Sequence, residues 1–333
     1  MAPIEAQTEA ETGALDAAAR IVGEAMAPTP QYAWPLLSAR LGVETWVKHD
    51  NHTPLGAFKL RGALVHVARL VASRPDLTGL VAATRGNHGQ AVAFAARRHG
   101  LSATIVVPLG NSADKNAAMR ALGATVVECG IDYQAARDHA AVLIAEAGGR
   151  AALVPPVSPD IADGAATQAL ELFRAAPALD RLYVAVGMGS GICGAVRARD
   201  ALGLQTRIIG VVAEGAPAYA LSFAAGRRIT TDTATTFADG IACRAPDPFA
   251  LDIIARGVDR FVTVPEQQII AAVRAFHDDT HNLAEGAGAA ALAGAMADAA
   301  AGRLAGCGRV GVVLSGGNID AALYAQLIAA QAA

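Results

Sequence analysis

Residues 80–100 read LVAATRGNHGQAVAFAARRHG. Leu80 to Thr84 is a short apolar run, RGNHG (85–89) is a Gly-rich turn, and QAVAFAARRHG (90–100) carries helical spacing up to Gly100. A strand this apolar is buried on both faces, as in a parallel sheet covered by helices. The same unit recurs along the chain. ATIVVP (103–108) leads through LGNSAD to KNAAMRALG, and ATVVEC (124–129) leads to YQAARDHAAVLIAEAGG. LYVAV (182–186) leads through GMGSG to ICGAVRARDALG, and IIGVV (208–212) and VGVVL (310–314) follow the same logic. The expected fold class is therefore α/β, with open, mostly parallel sheets and helices on both faces. The three consecutive units between about 78 and 150 read as a small inserted domain, and 1–77 with 151–333 as a larger one. In open parallel sheets ligands sit beyond the carboxyl ends of the strands. The turns after 84, 186 and 314 all fall there, so three distant loops are expected to converge on one site.

Composition narrows the function classes. The chain has 333 residues, 53% hydrophobic and 17% charged, with a formal net charge of −3. It holds no uncharged apolar run of about 18 residues, so no membrane span is expected. The N-terminal MAPIEAQTEAETGALDAAAR is acidic, lacks a signal-peptide pattern, and reads as a short leader into an amphipathic helix. With no basic stripe interleaved with aromatics, nucleic acid is not an expected partner. Cys129, Cys193, Cys243 and Cys307 are far apart and form no CxxC pair, so they imply neither a disulfide framework nor a zinc site. They read as small buried hydrophobes in a reducing cytoplasm. Lysine occurs only at Lys48, Lys59 and Lys115. A chain so biased toward arginine keeps lysine where a guanidinium fails, because an amine can lose its proton and attack a carbonyl.

Four motifs carry chemistry. In HTPLGAFKLRGA (52–63) a turn at Pro54 and Gly56 precedes Ala57, Phe58 and Lys59. Desolvation in that apolar setting lowers an amine's pKa and favours the neutral nucleophile; the plain alternative is a lysine near a helix start. In TRGNHG (84–89), main-chain N–H groups with Thr84, Asn87 and His88 are placed to hold a carboxylate at a helix N-terminus. A merely capped turn would need Gly and Asn but not His88 or Arg85. VGMGSGICGA (186–195) is a Gly-rich loop ahead of a helix, suited to a phosphate without saying which one. A dinucleotide reading is disfavoured, because Glu214 after the next strand is followed at once by Gly215 and Pro217. In VLSGGNID (313–320), Ser315 is either a partner for a heterocycle nitrogen or a helix N-cap. Glu285, in LAEGAGAAALAGA (283–295), is either a first-turn acid favoured by the helix dipole or a residue facing a cofactor. His66, His99, His139 and His277 sit in helical patterns and read as surface or packing residues.

Taken in order, TPLGAFKLRGA, TRGNHG, VGMGSGI, EGAGAAALA and LSGGN make the chain resemble, over nearly its whole length, the threonine dehydratase and serine racemase group of fold type II pyridoxal-phosphate enzymes, whose fold is tryptophan synthase β-like. The resemblance implies pyridoxal 5′-phosphate as cofactor, carried as a Schiff base by Lys59. It implies Phe58 packing on the ring, Asn87 beside the ring hydroxyl and Ser315 beside the ring nitrogen. Gly187, Met188, Gly189, Ser190, Gly191 and Ile192 would hold the phosphate, and Thr84, Arg85, Asn87 and His88 the substrate carboxylate. The implied activity is elimination of ammonia from a β-hydroxy-α-amino acid such as threonine, serine, hydroxyaspartate or phenylserine. A β-replacement synthase of the cysteine-synthase type and a non-catalytic cofactor-binding protein are the alternatives. A homodimer is also implied. Two departures stand out. Arg85 replaces the small residue, often serine, that precedes GNHG in the group, which speaks against racemisation. Ala220 stands where a second acid would complete a divalent-metal site with Glu214, so no metal is expected. The chain ends soon after SGGN, so no C-terminal regulatory domain and no end-product feedback are expected.

Overall fold

Local signals start the helices where they begin. Ser158 caps a helix by accepting from the Ile161 N–H, with Pro159 at its first position. Asp247 accepts from the Phe249 and Ala250 N–H groups ahead of Pro248, and Ser112 accepts from Lys115. The computed structural model describes residues 4–131 and 133–329. In chain order the elements are α1 (Ile4–Gly23), β1 (Gln31–Ala33), α2 (Pro35–Leu41), β2 (Glu44–His49), α3 (Lys59–Ser73), β3 (Gly79–Ala83), α4 (Asn87–Arg98), β4 (Ser102–Val107), α5 (Ala113–Ala121), β5 (Thr125–Glu128), α6 (Tyr133–Glu146) and β6 (Ala151–Leu153). Then follow α7 (Pro159–Ala175), β7 (Arg181–Ala185), α8 (Ser190–Ala201), β8 (Arg207–Ala213), α9 (Ala218–Ala225), α10 (Pro248–Gly257), β9 (Arg260–Val264), α11 (Glu266–Thr280), α12 (Gly286–Ala300), β10 (Arg309–Leu314) and α13 (Ala321–Ala329).

The strands form two sheets, ordered β1-β2-β10-β7-β8-β9 and β5-β4-β3-β6. Only the β1–β2 pair is antiparallel. All six strands expected from sequence are present within a residue or two of their expected ends. Four were not read: β1 and β6 are three residues long, β2 carries Lys48 and His49, and β9 alternates. β6 joins the second sheet from just past residue 150. The N-terminal helix starts at Ile4, so little of the expected leader remains, and residues 1–3 lie outside the described residues. One face of the larger sheet packs Val47, Tyr183 and Ile209 against Phe276 and Leu292. The other packs Leu182 and Val184 against Leu172, Ile192 and Ile254. The smaller sheet has α4 and α5 on one face (Val92, Ile105, Met119) and α6 on the other (Val81, Val106, Ala136).

Two features fix the start of α3. The first is a set of glycine notches. A Cβ on Gly164 of α7 would lie 2.3 Å from the Arg61 carbonyl of α3, and one on Gly194 of α8 would lie 2.5 Å from the Ala166 N of α7. The three helices therefore meet backbone to backbone, which only glycine permits. The second is a buried ion network. Arg61, with no exposed side-chain surface, donates to both oxygens of Asp50, to both oxygens of Glu171, and to Thr167 and Thr29. Lys48 donates to Glu171 (2.6 Å), the Thr29 carbonyl (2.7 Å) and Gln31.

Candidate active site

Lys59 is the first residue of α3 and follows a stitched loop. Thr53 Oγ1 donates to the Ala57 carbonyl and accepts from the Ala57 N–H. Ala57 pairs with Gly316, and the Phe58 N–H donates to the Ser315 carbonyl (2.9 Å). The two motifs, 259 residues apart in sequence at the Ala57–Gly316 pair, thus share one backbone seam. Gly56 sits at φ +68°, the left-handed turn that this entry into α3 requires. Lys59 Nζ reaches 3.0 Å from Ser190 Oγ and lies 4.8 Å from the Phe58 ring centre. Burial pushes its pKa down to about 8, against the opposing pull of Glu285.

Around the amine lies a cavity of about 540 Å³. All but one of the residues expected at the site line it: Phe58, Lys59, Thr84, Arg85, Asn87, His88, Gly187, Met188, Gly189, Ser190, Glu285 and Ser315 do, with Gly191 beside them. Ile192 does not. It is fully buried in the first turn of α8, in the core cluster that also holds Leu182 and Ala250, because a helix that offers its N-terminus to a ligand turns its apolar face to the sheet. Ser315 is not a helix N-cap, since the next helix begins only at Ala321. Glu285 occupies the N-cap position of α12 but makes no cap hydrogen bond. Its Oε1 accepts from Asn87 (2.7 Å), and its buried Oε2 has no partner among the described residues. Burial, opposed by Lys115 and reinforced by Asp239, pushes its pKa up to about 7. Asn87 Oδ1 in turn accepts from Asn318 (2.8 Å). His88 bonds the Val154 carbonyl at 3.1 Å, and desolvation with Lys59 nearby brings its pKa to about 4. It is therefore a neutral ring, and the anion-binding capacity of its turn resides in the N–H groups opening α4.

Lys115 was passed over although the scarcity of lysine singles it out as much as Lys59. It lines the same cavity, its stem rests on Gly86, and its amine donates to Asp239 at 2.5 Å. Ser112 donates to Asp320 (2.6 Å), so α5 reaches across to the loops of the larger sheet twice. Tyr133 and Arg137 of α6 and the 230–232 segment also line the cavity, and no local motif marks them.

The loop after β7 is shaped for an anion. Gly189 has φ +95°, and a Cβ there would meet the Ala250 methyl at 2.6 Å. A Cβ on Gly187 would sit 2.2 Å from the Gly240 carbonyl, while one on Gly191 would make only an ordinary contact with the Phe58 ring at 3.4 Å. Tyr219 OH holds the Met188 carbonyl at 2.9 Å. A bare backbone at a helix N-terminus, a desolvated amine and an orphaned carboxyl oxygen fit the phosphate, aldehyde and ring of pyridoxal phosphate.

The chain is 34% identical over 294 residues to an L-threonine ammonia-lyase of Thermotoga maritima, covering 88% of this chain and 72% of that protein. It is 33% identical over 315 residues to an L-threo-3-hydroxyaspartate ammonia-lyase of Saccharomyces cerevisiae, covering 94% of each. It spans 44% of the length of a chloroplastic biosynthetic threonine dehydratase of Arabidopsis thaliana, at 36% identity. The structure of the processed threonine deaminase isoform 2 of Solanum lycopersicum superposes with a TM-score of 0.89 at 30% identity, covering 98% of this chain and 93% of that one. Residues 22–316 match the sequence model described as pyridoxal-phosphate dependent enzyme, and with that match the chain belongs to this family.

Proposed function

We propose that the chain is an ammonia-lyase that converts a β-hydroxy-α-amino acid to a 2-oxo acid and ammonia. The observation that carries this reading is the Lys59 amine: desolvated, held by a single hydroxyl on Ser190, and placed where the seams from 57 and 316 meet. When bound, pyridoxal phosphate supplies an electron sink for the α-carbon. Gly187, Met188, Gly189, Ser190 and Gly191 would hold its phosphate through main-chain N–H groups. Phe58 would flank the ring, with Asn87 beside its hydroxyl and the Ser315 hydroxyl beside its nitrogen.

The protein's own part follows from the geometry. The N–H groups of Asn87 and His88 at the start of α4 bind the α-carboxylate and set the α-carbon over Lys59. The Lys59 Nζ, neutral in a usable fraction near pH 8, takes the α-proton. Glu285, protonated below about pH 7, holds a proton on the cavity wall beside Asn87. A serine at position 315 adds no charge at the ring nitrogen, which lets loss of the β-hydroxyl compete with other fates. Arg85 offers no acid on the face opposite Lys59, since a guanidinium keeps its protons, so racemisation is expected to be slow. The reading also includes a homodimer in the cytoplasm. Its support is the four cysteines without disulfides and the exposed apolar Tyr32, Leu36 and Leu283. No helix among the described residues is long and apolar enough to cross a membrane.

A panel of threo and erythro 3-hydroxy amino acids, assayed for ammonia and 2-oxo acid, tests the reaction. Equimolar release of both from at least one member is expected. Product formation only when a thiol is added would point instead to β-replacement, and no turnover with any member to a binding protein.

A further inference from the structure

The outer part of the cavity is lined by two arginines with no ion-pair partner among the described residues. Arg85 follows Thr84 in the carboxylate-binding turn, and Arg137 lies one helical turn after Tyr133 on α6. Both side chains are exposed. The other charges of the cavity have partners: Lys115 bonds Asp239, Lys59 bonds Ser190, and Glu285 accepts from Asn87. The facing wall adds Arg244 and the exposed Asp232, and Asp232 pairs with neither Arg85 nor Arg137.

An amino acid with one carboxylate satisfies the N–H groups that open α4 and leaves both guanidinium groups facing the ligand. Open to water they cost little. Beneath a ligand that displaces that water, two uncompensated cations are unfavourable, because their interactions strengthen as the dielectric falls. A second carboxylate on the substrate converts that penalty into charge-assisted contacts, for which the planar guanidinium is the suited donor. Both arginines belong to the smaller sheet's side of the cavity, with the α-carboxylate turn. We propose that Arg85 and Arg137 form an anion subsite for a β-carboxylate, making the substrate class 3-hydroxy dicarboxylic α-amino acids. This rests on the lyase reading above. The α-C–H and β-C–O bonds break, the hydroxyl departs as water, and one water returns in hydrolysis of the amine. A 2-oxo dicarboxylate and ammonium result, with no oxidant or reductant required.

The test compares the holoenzyme with Arg85→Ser, Arg137→Ala and the double variant, using threo-3-hydroxyaspartate and threonine. The ratio of kcat/KM for the acidic substrate to that for threonine is expected to fall about 30-fold in each single variant, the size of one lost charged hydrogen bond, and further in the double. Succinate, which has no amine and cannot react, supplies a second readout: it should raise the melting temperature of the wild type more than butyrate does, and this difference should vanish in the double variant. An unchanged substrate ratio together with an unchanged succinate effect would overturn the subsite. If the wild type releases ammonia from neither substrate while the succinate effect persists and depends on the arginines, the reaction assignment fails and the subsite stands.

Discussion

Lys59 and Arg61 are two residues apart at the start of α3, and the protein treats the two cations in opposite ways. Arg61 is enclosed by acceptors on every side, and with Lys48 it balances Asp50 and Glu171, two cations against two anions in a region with hardly any exposed surface. Lys59 has one hydroxyl. Its neighbours are left equally incomplete: Glu285 keeps a buried oxygen without a partner, and the Ser315 hydroxyl bonds nothing among the described residues. Burying charge is tolerable when partners offset desolvation. Where the fold leaves the offset out, the group shifts its pKa instead, and the missing partner is the ligand. The contrast separates a device that holds the backbone from one that holds a reactant.

The most severe way to sharpen the contrast is Lys59→Ala. Turnover should fall by about 10⁴-fold or more, because anchor and base are lost together, while urea unfolding of the protein changes little. Borohydride reduction of the wild type should place the cofactor adduct on the peptide containing Lys59. An adduct on Lys48 or Lys115 would erase the distinction drawn here.

Arg61→Met should do the reverse. With Asp50 and Glu171 left buried and unpaired, unfolding free energy should drop by about 3–5 kcal/mol, measured by urea titration. A loss below about 1 kcal/mol would mean that the network behaves like a surface ion pair.

Glu285 gives a pH signature. In the folded protein its pKa is about 7, against the usual 4.5. Between those values the folded carboxyl keeps a proton that the unfolded one has released, so the fold loses stability as pH rises through that window. Glu285→Gln does not titrate. With cofactor stripped, wild-type stability relative to the variant should fall by on the order of 2–3 kcal/mol from pH 4.5 to pH 8. A flat difference across that range would show that Glu285 titrates normally.

Ser315→Ala is the mildest change, with an expected loss of about 3- to 10-fold in kcat/KM, about 1 kcal/mol for one neutral hydrogen bond. Ser315→Asp should shift the cofactor's visible absorbance, which the alanine variant should leave nearly in place. Identical spectra in both would remove any role for Ser315 at the ring.

Much of this was legible in the sequence because glycine and apolar runs act locally. A strand such as Gly79–Ala83 is buried on both faces and reads as such from its apolar run, and a loop such as GMGSG needs glycine for reasons of space that the structure makes explicit. What escaped notice depends on distance. β2 hid because Lys48 and His49 break its apolar run, and it takes partners elsewhere in the chain, Glu171 at a separation of 123 residues among them, to make Lys48 tolerable inside. Ile192 was grouped with its neighbours because spacing does not say which side of a helix's first turn faces the loop and which faces the sheet. Lys115, Asp239 and Arg137 reach the cavity from elements with no motif of their own, so their role is visible only once the folded chain brings them to one cavity.

The glycine notches carry a consequence for divergence. α7 lines no part of the cavity, yet its Gly164 and Ala166 rest directly on the backbones of α3 and α8, which carry Lys59 and Ser190. It acts as a spacer gauge between the amine and the phosphate loop, and a single methyl at Gly164 would wedge them apart. Arg85 and Arg137 hang from the other sheet, outside that gauge. Substitutions there are free to retune which side chain is accepted while the distance between amine and phosphate loop stays as it is. Lineages of this fold can therefore drift in substrate through the turn after β3 and the face of α6, whereas a helix that never meets the reactants stays nearly immovable.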